Sequence, residues 1–147
     1  MTDIVDRATR SRMMSGIQGR NTEPEQIVRS HLHRSGLRFR VNSKALPGTP
    51  DIVLSSWRSA VFVHGCFWHR HPGCRFAYKP KSNRVFWASK FRENVQRDAR
   101  KLSALKKLRW RVFVLWECQL STPRLDRLVR RIRSRRGAAS ASRRANR

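Results

Sequence analysis

Acidic residues are scarce in this chain. Nine Asp and Glu stand against 34 Lys and Arg among 147 residues, a formal charge of +25. A molecule this basic repels itself unless a polyanion is near, which points first to nucleic acid and second to an anionic membrane. Long apolar runs are missing as well. No stretch approaches the roughly 18 residues of a transmembrane helix, and no helical segment carries the broad apolar face of a membrane-surface helix. The opening MTDIVDRATRSRMMSG holds two aspartates and no apolar core of a secretory signal. Cysteine is down to three, an odd number that cannot pair off within the chain. With no export signal, these thiols read as metal ligands in a reducing cytoplasm.

The length suits one domain. Residues 1–20 form a basic arm, and residues 21–122 carry the periodic patterns of a folded unit. Residues 123–147 are a basic tail ending in the low-complexity SRRGAASASRRANR, with the composition of disorder and room for one short helix over 124–132. Thr22-Glu23-Pro24-Glu25 opens a helix, with Thr22 at the cap and Glu25 at the capping-box position. Ile27, Val28 and Leu32 supply its inward stripe, and Gly36 stops it. Short strands are predicted at 37–41, 51–54 and 60–63, a helix at 89–108 and a buried strand at 111–116. The fold class is therefore α/β, a mixed sheet flanked by helices.

The third strand runs into HGCFWHRHPGC, residues 64–74. Cys66, His71 and Cys74 can wrap one ion, and Cys118, just past the 111–116 strand, can join them if that strand lies beside the 60–63 strand. Three cysteines and one histidine fill a tetrahedral Zn²⁺ and leave no open position, which makes such a site structural. His69 can replace His71 on spacing alone. Phe67-Trp68 lies within this loop and Phe86-Trp87 precedes the long helix. Apolar rings on rigid loops can wedge between base steps at a cost of a few kcal/mol per step, and two consecutive rings on a polar loop do not easily face one core.

Asp51 opens a strand in GTPDIVL, a position that suits Mg²⁺ in phosphodiester cleavage. The helix–strand order resembles the PD-(D/E)xK nuclease core, yet the next strand reads Val61-Phe62-Val63-His64 and lacks the second acid and the lysine. His64 and His69 are the substitutes, because a near-neutral imidazole accepts a proton from water.

Five segments in series now carry a family resemblance: SRMMSGIQGRNTEPE (11–25), LPGTPDIVL (46–54), VFVHGCFWHRHPGC (61–74), FWASKFRENVQRD (86–98) and WRVFVLWEC (110–118). In this order the chain resembles the Vsr-type very-short-patch repair DNA mismatch endonucleases. The resemblance implies a monomeric bacterial enzyme of the cytoplasm and nucleoid, working alongside other mismatch-repair proteins. It would nick one strand of double-stranded DNA 5′ to the T of a T:G mismatch left by 5-methylcytosine deamination. It also implies a restriction-endonuclease-like core with a structural zinc. Asp51 and the carbonyl of Val63 would bind Mg²⁺, and His69 would be the base, supported by His64 and Asp98. Glu25 would position water or the N-terminal arm. Cys66, His71, Cys74 and Cys118 would hold Zn²⁺. Phe67, Trp68 and Trp87 would insert beside the mismatch, and Met14 would clasp the DNA from the opposite groove. Arg92, Arg97, Arg100 and Lys101 then become backbone contacts. Val63 departs from the threonine common in the family, which costs little if only its carbonyl is used. The competing readings are a zinc-stabilised DNA-binding module without catalysis and a restriction-like nuclease with another DNA substrate.

Overall fold

The computed structural model describes residues 22–134. Met14, the 1–20 arm and the segment from 135 onward lie outside the described residues. Helix α1 (Glu23–Arg34) has Pro24 in its first turn, acids at its start and His31, His33 and Arg34 at its end, a polarity that complements its dipole. Val28 and Leu32 are buried, whereas Ile27, expected inward, is 40% exposed. The expected capping box does not form. Thr22 makes no side-chain cap bond, and Glu25 turns into the protein, where its carboxylate accepts a bond from Arg29 Nη2 at 3.1 Å.

The sheet order is β1-β2-β3-β4, with β1 (Arg40–Val41), β2 (Ile52–Leu54), β3 (Ser59–His64) and β4 (Arg111–Trp116). The first three strands run antiparallel. β4 joins β3 in parallel, in a register that sets His64 beside Trp116. The parallel step needs a crossover, and helix α2 (Arg84–Lys107) supplies it. Strand β1 is shorter than predicted because Leu37 is drawn into the core instead of pairing.

Side chains alternate across β3 as the pleat requires. Val61 and Val63 join Ile52, Leu54 and Phe113 on one face, and Ala60 and Phe62 meet Leu105 on the other. Helix α2 starts at Arg84 rather than 89, so Phe86-Trp87 is helical and not in a loop. Only its C-terminal part lies on the sheet, through Leu102 and Leu105. Val95 and Leu108, although at helical spacing with Phe91, Leu102 and Leu105, are exposed.

Helix α3 (Thr122–Arg133) corrects the expected boundary at residue 122. Leu125, Leu128, Val129 and Ile132 are buried in the same core as Val28 and Leu32 of α1. The guanidinium of Arg111 donates to the carbonyls of Arg131 (3.0 Å) and Ile132 (2.7 Å), satisfying the open end of α3. The packed unit thus reaches Arg133, with helices on both sides of the sheet.

Candidate active site

Asp51 immediately precedes β2, and the antiparallel pairing brings it to the C-terminal end of β3. There its Oδ2 accepts the Val63 N–H at 2.7 Å. His64 closes β3 with its ring buried. His69 returns from the following loop and stacks on it, rings 3.9 Å apart and 6° from parallel. On its other side, His69 Nδ1 lies 2.6 Å from Oδ2 of Asp98 on α2. These groups open into a cleft of about 490 Å³. Glu25, Asp51, Asp98 and Glu117 all line it, four of the nine acids in the chain. Facing them along α2 are Lys90, Asn94, Arg97 and Lys101. Gly48 (φ +78°) lets the cleft wall close on Lys101, since a Cβ there would lie 2.7 Å from that side chain.

Burial pushes the Asp51 carboxyl up to about 6, with the neighbouring Glu25 charge adding to it, against the Val63 N–H bond that lowers it. Burial and the neighbouring His69 push His64 down to about 3, which leaves it a neutral ring. Burial works against the charge on Asp98, yet the hydrogen bond and charge of His69 hold its carboxyl below the usual range. A buried carboxyl beside a second one, at the mouth of a cleft, has the surroundings that a divalent cation would relieve.

A second cluster sits just beyond the ends of the two parallel strands. The ligand atoms of Cys66, His71, Cys74 and Cys118 all lie within 4.8 Å of one another. Cys74 Sγ to Cys118 Sγ is 3.9 Å, Cys66 Sγ to His71 Nδ1 is 3.7 Å, and Cys118 Sγ to His71 Nδ1 is 3.4 Å. A tetrahedron with Zn–S legs of about 2.3 Å has edges of about 3.8 Å, slightly less to nitrogen, so the donor set fits such an ion. Burial, with the crowding of the other thiols, pushes the Cys66 thiol up to about 12. A metal would remove that penalty by taking the thiolate. Glu117 ties this cluster to the cleft, because its Oε1 accepts the Cys66 N–H at 3.0 Å. Trp116 stacks on His71 (4.3 Å) and meets His64 edge-on (5.2 Å).

Phe67 and Trp68 do enter one cluster, contrary to the expectation for consecutive rings. They meet edge to face at 5.1 Å, and Tyr78, Trp87 and Phe91 complete the group. Trp68 and Trp87 are each 8% exposed. Asn94 Nδ2 donates to the Trp68 carbonyl at 3.2 Å, fixing the loop to α2.

The structure therefore brings Glu25, Asp51, Val63, His64, His69 and Asp98 into one cleft, with Arg97 and Lys101 at its wall. Arg92 and Arg100 are exposed and do not line it. Sequence reasoning missed Glu117, Lys90 and Asn94. The scarcity of acids was a signal for Glu117, directly before a cysteine; Lys90 and Asn94 needed the helix phase of α2.

An α/β protein whose cleft joins carboxylates, a histidine–aspartate pair and a row of cations is built to hydrolyse an anionic ester in a polyanion. The family model for DNA mismatch endonuclease Vsr matches residues 2–75. The chain is 50% identical over 121 residues to the type II nicking enzyme V.XorIIP of Xanthomonas oryzae pv. oryzae, covering 82% of this chain and 88% of that one. It is 44% identical over 138 residues to the type II nicking enzyme V.NmeAIP of Neisseria meningitidis serogroup A, covering 90% and 98%. It is 45% identical over 120 residues to the DNA mismatch endonuclease Vsr of Escherichia coli K12, covering 82% and 76%. The chain belongs to the Vsr DNA mismatch endonuclease family and is a DNA endonuclease. Among the described residues no helix is long and apolar enough to cross a membrane.

Proposed function

We propose that this enzyme nicks one strand of duplex DNA 5′ to the T of a T:G mismatch arising from 5-methylcytosine deamination, with Mg²⁺ as catalytic cofactor and Zn²⁺ as structural metal. The bacterial cytoplasm, at the nucleoid, is its place of action. It would work as a monomer alongside other mismatch-repair proteins. The observation that carries the reading is the His69–Asp98 pair facing the same cleft as Asp51. A DNA-binding module would have no use for it.

Asp98 accepts the His69 Nδ1–H, which leaves Nε2 as the lone pair that takes the proton of an attacking water. His64, neutral and stacked, fixes the plane of that ring. Mg²⁺ held by Asp51 and the Val63 carbonyl would neutralise the charge that builds on the phosphate. Glu25 would order solvent at the same site, and Lys90, Arg97 and Lys101 would hold the strand by its phosphates. Cys66, His71, Cys74 and Cys118 would hold Zn²⁺ and stiffen the loop that carries Phe67 and Trp68. These rings and Trp87 would leave their cluster to enter the base stack, which a wobble pair opens at lower cost than T:A. Met14 belongs to the arm proposed to clasp the far groove.

The test is a strand-specific nicking assay on T:G and T:A duplexes in a methyltransferase-site context, with Mg²⁺ or EDTA. One Mg²⁺-dependent nick 5′ to the mismatched T is expected, and Asp51→Ala should abolish it while T:G binding survives. Normal nicking by that variant would remove Asp51 from the mechanism.

A further inference from the structure

Residues 69, 70 and 71 are consecutive, yet they serve three different units. His69 turns to Asp98 in the cleft. His71 turns to the cysteines. Arg70 turns to the aromatic cluster, where its guanidinium carbon lies 3.9 Å over the Phe91 ring and 5.7 Å from that of Phe67. The divergence starts in the backbone, because Arg70 adopts φ +54°, which L side chains rarely take.

Arg70 also closes the loop. Its Nη1 donates to the carbonyls of Phe67 (3.2 Å) and Tyr78 (3.0 Å), and its Nη2 to that of Ala77 (2.7 Å). One planar fork thus ties both ends of the metal loop together and pins them on α2 through Phe91. A lysine ammonium is a point charge and cannot reproduce this arrangement.

We infer that Arg70 is a positioning residue for mismatch discrimination: it holds the Phe67–Trp68 pair in register with the neighbouring His69, so that ring placement in the DNA and the base at the scissile phosphate are set together. This rests on the reading of the aromatic cluster as the mismatch contact.

The experiment compares wild type, Arg70→Gly and Arg70→Lys in single-turnover nicking of T:G and T:A duplexes, with bound zinc and near-ultraviolet circular dichroism measured on the same samples. Glycine accepts the positive φ, so Arg70→Gly removes the side chain without straining the backbone. Because misplacement of about 1 Å can cost about 100-fold, the T:G to T:A rate ratio should fall by about 10- to 100-fold in Arg70→Gly with zinc content retained. Added methylguanidinium should restore part of it, and Arg70→Lys should stay near the glycine variant. An unchanged ratio in Arg70→Gly overturns the inference. So does loss of zinc and secondary structure in both variants, since Arg70 would then serve only to fold the loop. If wild type itself shows no preference for T:G, the functional reading fails first, and an unmoved aromatic dichroism signal in Arg70→Gly would separately sink the positioning role.

Discussion

Asp51 carries a carboxyl raised from 3.8 to about 6, first by burial and then by the Glu25 charge. In the absence of a cation, the folded chain therefore holds a proton there that the unfolded chain has already released. The stability tied to that proton is full below the unfolded value near 3.8 and is lost as pH rises towards 6. Asp51→Asn should make the cation-free protein more stable above pH 6, by about 1–3 kcal/mol. Thermal melts at pH 5 and pH 8 check this: the variant's gain should be clearly larger at pH 8 than at pH 5, and added Mg²⁺ should raise the wild-type midpoint alone. His64 acts in the opposite sense, because its folded value near 3 lies below 6.5, so its contribution is lost as pH falls. Trp68 makes a different demand. Its ring is buried, and the proposed entry into the base stack would require it to move. Trp68→Ala should lower the T:G to T:A rate ratio, and an unchanged ratio would make the ring purely structural.

Helix α3 was half legible in the sequence. A short helix over 124–132 was expected, but ten arginines between residues 124 and 147 set it within a basic tail, while Leu125, Leu128, Val129 and Ile132 keep the spacing of one buried stripe. Ile132 is fully buried against the core shared with α1. Ile132→Ala should cost about 2–5 kcal/mol, measured by urea denaturation; a loss below about 0.5 kcal/mol, as at a surface site, would show that α3 does not belong to the cooperative unit. Helix α1 and strand β4 were legible because Pro24 in the first turn with the Val28–Leu32 spacing, and the apolar run over 112–116, agree with their tertiary roles. The start of α2 was not, since Trp87 and Phe91 of its N-terminal half pack on the loop that carries Phe67 and Trp68 instead of on the sheet. The cleft was legible where rare residue types stood out, as with Asp51, His69 and the cysteines. Its wall of Lys90, Asn94 and Arg97 depended on which face of a uniformly basic helix turned inward.

Over the whole molecule the charge is one-sided, and most of it has no partner among the described carboxylates. Duplex binding should therefore fall steeply with salt. Arg97→Ala and Lys101→Ala, at the cleft wall, should each reduce the slope of log affinity against log salt by about one. Arg92→Ala, off the cleft, should leave it nearly unaltered. Equal changes at all three would mean that DNA is held by diffuse attraction and not along α2.

Cys66 and Cys118 sit just past the ends of β3 and β4, with the whole of α2 between them in the chain. An ion shared by these two residues would link the only parallel pair among the described strands, a pairing that is slow to assemble because its partners are remote in sequence. In kinetic terms such an ion would be a latch fastened after the strands have met, and Cys66, with no exposed surface, would be the side of the latch that solvent does not reach. A chelator would then act at the pace at which the strand ends separate, whatever its own appetite for metal, and the lifetime of the working enzyme would be set by that opening.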